Sequence, residues 1–175
     1  MGKYIVRKFR GKSLIGKIVE VEAYLGLADP ASHAYRRKTK RNEVMFLQGG
    51  HLYVYFTYGM HFCANVVTRE KGIGEAALIR AVEPIEGIEI MRRNRIAANS
   101  RAKDKDLTSG PARFCQAFGI GRKENGTDLL SKTIFIAKGE RIPATKIASS
   151  PRIGINVGME RKWRFFVKGN EWVSR

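Results

Sequence analysis

The chain has 175 residues, 43% hydrophobic and 28% charged, which suits one folded domain with its own core and excludes a disordered chain. Its 33 basic residues against 16 acidic ones leave a net charge of +17. That excess calls for a polyanionic partner, nucleic acid before an anionic membrane, because no long amphipathic basic helix or lipidation motif is present.

In chain order, Tyr4 to Phe9 and Leu14 to Tyr24 are predicted to be strands joined by a turn at Gly11-Lys-Ser13. Residues 25–42 read as a long, basic, irregular loop. His51 to Thr57 and His61 to Thr68 form a hairpin across Tyr58-Gly59-Met60. Ala76 to Val82 is a third apolar strand, ended by Glu83-Pro84. Glu86 to Ala97 has helical spacing, with Ile88 and Met91 on the buried side. A second helix opens at Ser109-Gly-Pro111 and runs to about Phe118, with Ser109 as N-cap and Pro111 in the first turn. Strands return at Arg152 to Val157 and Arg164 to Lys168. The class is α+β, with a central antiparallel sheet in one domain spanning residues 1–175.

Basic residues cluster at Arg36–Arg41, Arg92–Arg95, Arg101–Lys105 and Arg161–Arg164, each of which could equally be a solvated face. Cys63 and Cys115 stand alone, without a C-x-x-C, which indicates reduced thiols in a cytosolic compartment and no zinc ribbon. His33, His51 and His61 lack metal-ligand spacing, so no metal or other cofactor is expected. No run of 18 uninterrupted apolar residues and no apolar segment behind the N-terminal charges occur, so neither a membrane span nor a signal peptide is predicted.

Alternation along residues 18–24 puts Ile18, Glu20, Glu22 and Tyr24 on one strand face and Val19, Val21 and Ala23 on the other. A carboxylate and a tyrosine two residues apart, in so basic a chain, suggest a site for something flat and positively charged. Tyr24 and Tyr55, on strands that could lie side by side, would make a slot for a planar ring, or else are ordinary core aromatics. Tyr58, ahead of Gly59 at a hairpin tip, suits a wedge that opens a duplex, or simply covers the sheet. Asn65 could read a base edge or satisfy backbone groups. His33, taken alone, reads as a solvated loop histidine.

Together these pieces resemble a known family. Val19-Glu-Val-Glu-Ala-Tyr-Leu-Gly26, Asp29-Pro-Ala-Ser-His-Ala-Tyr35, Arg41-Asn-Glu-Val-Met-Phe46 and Leu52-Tyr-Val-Tyr-Phe-Thr-Tyr-Gly-Met60 come first. Phe62-Cys-Ala-Asn65, Leu78-Ile-Arg-Ala-Val-Glu-Pro84, Ser109-Gly-Pro111 and Arg164-Phe-Phe-Val167 follow. In this order, over nearly the whole chain, they resemble the alkyladenine (3-methylpurine) DNA glycosylases.

The resemblance implies a curved antiparallel sheet with a projecting hairpin and surrounding helices. It implies a monomeric, monofunctional glycosylase acting in the cytoplasm on the nucleoid, or in the nucleus of a eukaryote. Its partner would be double-stranded DNA containing damaged purines, with no membrane and no cofactor. Glu22 then corresponds to the carboxylate that activates water, and Arg80 to a partner of that water or of the backbone. Tyr24, His33 and Tyr55 correspond to the walls around the flipped base, with the His33 backbone on its edge and Met45 in the lining. Asn65 corresponds to the residue excluding the amino group of guanine, and Tyr58 with Met60 to the intercalating tip. One departure concerns Tyr35-Arg-Arg-Lys-Thr-Lys-Arg-Asn42, which lacks the glycine near Arg37 and the proline near Lys40 common in relatives.

The chemistry agrees with that reading. A purine alkylated at N3 or N7 is cationic and departs as a neutral base, needing little acid help. What remains is to stabilise a cationic sugar and supply water, and one carboxylate can do both. A neutral lesion would also need a proton, and no residue is an obvious donor. Two rivals are a basic nucleic-acid-binding module and a lesion-recognition protein without turnover.

Overall fold

The computed structural model describes residues 1–98 and 103–174. The Arg101 end of the basic cluster at residues 101–105 therefore lies outside the described residues. The first hairpin joins β1 (Tyr4–Phe9) to β2 (Lys12–Leu25) through Arg10 and Gly11, both at positive φ (49° and 74°). Two left-handed residues match the twist of antiparallel strands, so β2 starts at Lys12, before the expected Leu14. A second hairpin joins β3 (Leu52–Thr57) to β4 (His61–Val67) across Tyr58–Met60, with Tyr58 and Gly59 at φ of 50° and 67°.

β5 (Glu75–Glu86) continues through Pro84, where the sequence suggested a stop. Pro84 sits opposite Gly16 at an irregularity in the β2–β5 ladder, a place where a missing N–H costs nothing. Gly16 itself is required by packing: a Cβ there would lie 2.7 Å from a Val82 methyl and 3.1 Å from the Phe118 ring.

Helix α1 (Ile88–Ala98) and helix α2 (Pro111–Phe118) cover one side of the sheet. Met91, Phe114 and Phe118 are fully buried there, and the two phenylalanines meet at 4.9 Å between ring centroids. Each such side chain contributes ~1.5–3 kcal/mol by leaving water. Gly110, not Ser109, is the N-cap of α2; the Ser109 hydroxyl is turned to the Val173 carbonyl at 3.4 Å.

Three short strands complete the sheet: β6 (Ile134–Ala137), β7 (Ile147–Ser150) and β8 (Arg164–Val167). The first two are too short to show a period in sequence, and the strand expected at Arg152–Val157 is a loop. All pairings are antiparallel, in the order β3-β4-β5-β2-β1-β6, with β8 on β2 and β7 on β8. β2 is the spine. Its first half pairs with β1 and its second half with β8, while β5 runs along its other edge. The sheet therefore curls into an open half-barrel.

A second, smaller core of Ala34, Val44, Met45, Tyr53, Val67 and Ala76 lies under residues 25–50. That stretch is less irregular than its composition suggests. Asn42 gathers it by donating to the carbonyls of His33 (2.7 Å) and Arg37 (3.0 Å) and accepting from the Thr39 amide (2.6 Å). No helix among the described residues is long and apolar enough to cross a membrane.

Candidate active site

The β2–β5 ladder slips register in the middle of the sheet. Ile18 pairs with Val82, Glu20 with Ala81 and Val21 with Ile79, so Val19 and Arg80 are each left without a direct partner. The bulge overturns the simple alternation: Ile18 joins Leu14 and Val21 against the main core, while Glu20, Glu22 and Tyr24 turn to the other face. Bulges re-aim side chains in this way. Here the slip brings Arg80 against two carboxylates.

Glu20 and Glu22 are both fully buried, yet they are bound differently. Glu20 accepts from Arg80 Nε (2.9 Å), Arg164 Nε (2.6 Å), the Ser174 amide (2.6 Å) and the Ser174 hydroxyl (2.8 Å). Three of these four donors meet on Oε1, and the Ser174 amide stands alone on Oε2. Glu22 accepts from the Tyr24 hydroxyl on Oε2 (2.9 Å) and the Ile153 amide on Oε1 (2.8 Å), with Arg80 Nη1 3.2 Å from Oε1. Glu22 is thus held by three groups and Glu20 by four contacts.

The three groups that hold Glu22 open onto a cavity of about 420 Å³. Tyr24, His33, Met45, Tyr55, Asn65 and Arg80 all line it, as does Tyr58 at its rim. Tyr24 and Tyr55 are not on neighbouring strands, as the sequence suggested; β4 and β5 lie between theirs, and the curl of the sheet brings both rings to one hollow. Asn65 donates to the Tyr53 carbonyl at 3.1 Å and is buried, as is Met45.

His33 is not a free loop histidine. Its ring stands edge-on to Tyr55 at 4.5 Å, and its Nδ1 is 2.9 Å from the Tyr53 hydroxyl. Desolvation against these rings, then the charge of Arg41, lowers its pKa, so the imidazole is neutral at neutral pH. Burial pushes the Tyr53 phenol up to about 12 and also raises those of Tyr24 and Tyr55, the former helped by Glu22. The aromatic walls are thus uncharged, and Arg80 is the charged side chain in the lining.

Met60 and Tyr58 project from the β3–β4 hairpin, 68% and 78% exposed. Across Pro30 and His33, which line both, the cavity adjoins a second hollow lined by Arg36, Arg37 and Arg41.

The sequence reading missed three contributors. Tyr53 shares a strand face with Tyr55, and that two-residue spacing could have revealed it. Arg152 and the loop Ile153–Val157, which forms one wall, carry no local signal. Arg152 is buried against Asp29 and stacked 4.6 Å from the Tyr24 ring centroid. Among the described residues no group of His, Cys, Asp and Glu has the arrangement of a metal site.

An aromatic cavity lined by Arg80, with Glu22 buried directly behind its Tyr24, Arg80 and Ile153, on a chain of net charge +17, suits an enzyme acting on the bases of a nucleic acid. The comparisons name the class. Residues 1–171 match the model of the "Methylpurine-DNA glycosylase (MPG)" family. A Carboxydothermus hydrogenoformans protein named "Putative 3-methyladenine DNA glycosylase" is 52% identical over 173 residues, covering 98% of this chain and 88% of its own. Proteins of the same name from Francisella tularensis subsp. tularensis and Burkholderia lata are each 50% identical. The former covers 100% of this chain and 90% of its own length, the latter 91% and 76%. The chain belongs to the methylpurine-DNA glycosylase family and is a DNA glycosylase of base-excision repair.

Proposed function

We propose that this glycosylase flips alkylated or deaminated purines from duplex DNA into the aromatic cavity and hydrolyses the N-glycosidic bond there, leaving an abasic site. One observation carries the reading. Of two buried carboxylates on one strand face, Glu20 is tied to Arg164 and Ser174, which stand outside the hollow, whereas every group that holds Glu22 (Tyr24, Arg80 and Ile153) lines a base-sized hollow.

Glu22 takes a proton from water as it attacks, and its charge stabilises the oxocarbenium-like sugar. Arg80 holds that carboxylate and its water. Tyr24, His33 and Tyr55 enclose the base, and their π faces favour a cationic alkylated purine by ~0.5–2 kcal/mol per ring. Met45 completes the lining. The guanidiniums of Arg36, Arg37 and Arg41 suit the phosphates beside the flipped nucleotide, and the protein acts as a monomer.

The test is release of free base from a set of duplexes, each with one 3-methyladenine, 7-methylguanine, hypoxanthine or ethenoadenine. Binding without release from any of them would favour a lesion-recognition protein, in which the protected anion at Glu22 has no purpose.

Two roles at the cavity give further expectations. With Tyr58→Ala, release from a well-paired lesion should slow while release from a mismatched one changes little, since flipping costs a few kcal/mol and least where pairing is weak. Equal slowing on both would assign Tyr58 to the sheet. Asn65→Ala should admit purines bearing a 2-amino group, read as slow guanine release from mismatched sites; no such release removes Asn65 from the gatekeeping role.

A further inference from the structure

We propose that Arg152, in its ion pair with Asp29, is a positioning residue for the hydrolysis: it holds Tyr24 and the Ile153 amide so that Glu22 keeps one orientation. The inference rests on the glycosylase reading above and adds a residue to it.

Arg152 does not line the cavity. Its side chain and that of Asp29 are entirely buried, paired in a two-pronged contact with Nη2 2.8 Å from Oδ1 and Nη1 2.5 Å from Oδ2. The same Nη1 donates to the Ala23 carbonyl at 2.9 Å, between Glu22 and Tyr24 in the chain. Asp29 is held in turn by the amides of Ala31 (3.1 Å) and Leu25 (3.3 Å). The guanidinium lies 4.6 Å from the Tyr24 ring centroid and 5.1 Å from that of Trp163. The next residue, Ile153, gives its N–H to Glu22.

Two of the three donors on Glu22 therefore hang from parts that Arg152 fixes, the Tyr24 ring and the start of the 153–157 loop. The third, Arg80, is tied to Glu20 and is independent of it. A planar fork against a carboxylate sets direction as well as distance, which a flexible ammonium would not. Small errors in placing a catalytic group cost rate more than binding.

The experiment compares wild type with the double variant Asp29→Asn/Arg152→Met. Removing both charges together avoids stranding one of them in the interior, the change that unfolds proteins. Single-turnover base release, lesion-duplex affinity and the unfolding midpoint are measured on each. Release should fall about tenfold or more with affinity kept within about threefold and the protein folded. Adding Tyr24→Phe to the double variant should slow it less than the same change slows the wild type, because the hydrogen bond it deletes is one of the two the double variant has already loosened.

A folded double variant that releases base at the wild-type rate overturns the proposal, as does affinity falling in step with rate. If the double variant does not fold, Tyr24→Phe alone decides. It keeps the ring and the ion pair but deletes the bond to Glu22, and an unchanged rate sinks the relay. A wild-type protein that releases no base would instead sink the glycosylase reading, and this inference with it.

Discussion

Glu22→Gln should bind lesion-containing duplex as the wild type does and release base at least about a hundredfold more slowly in single turnover. Glutamine keeps the size of the side chain but cannot be an anion. Losing a general base alone is worth ~10²–10⁴ in rate, and the charge opposite the developing sugar cation is lost with it. Geometry adds a second penalty. Both Glu22 oxygens face donors, the Tyr24 hydroxyl on one side and the Ile153 amide with Arg80 on the other. The NH₂ of glutamine must turn toward one of them and break that contact. Stability should change little, because Arg80 keeps its bond to Glu20. Rapid-quench release assays and a binding titration check the split. Release near the wild-type rate would move the water-activating role to another carboxylate.

The same substitution two residues earlier should do the opposite. Glu20→Gln removes the negative charge that compensates Arg80 and Arg164, both within 3 Å of this fully buried carboxylate. Stripping one partner from such a buried cluster costs about 3–5 kcal/mol. For a chain of this length that corresponds to a fall in melting temperature on the order of 10 °C. Ser174 would lose its anchor too, since its amide and its hydroxyl both end on Glu20. Per folded molecule, base release should be reduced much less than in Glu22→Gln. Calorimetry together with a release assay at low temperature tests this. A stable but inactive Glu20→Gln would exchange the roles of the two glutamates.

Much of this protein was legible one residue at a time. The α+β class, both helices and the two hairpins follow from hydrophobic periods and from Gly at positions that need positive φ, because such preferences act within a few residues. The net charge of +17 implied a polyanionic partner by itself. The ordered motifs around Glu22, His33, Tyr58 and Asn65 led to the family.

What the sequence could not decide depends on contacts between distant segments. Period-two alternation placed Ile18 beside Glu20 and Glu22, and only the paired strand reveals the bulge that moves Ile18 to the core. Tyr24 and Tyr55 meet at one cavity because the sheet curls, although two strands separate theirs. The strands β6 and β7 exist by pairing with β1 and β8, and four residues carry too little pattern to announce that. Above all, strand alternation alone treats Glu20 and Glu22 alike, and only the resemblance set Glu22 apart. Their difference lies in donors brought from far along the chain: Arg164 and Ser174 tie down the first away from the cavity, while Tyr24, Arg80 and Ile153, which hold the second, all line it. Local preferences chose the elements, and tertiary contacts chose which carboxylate is held by the walls of the cavity.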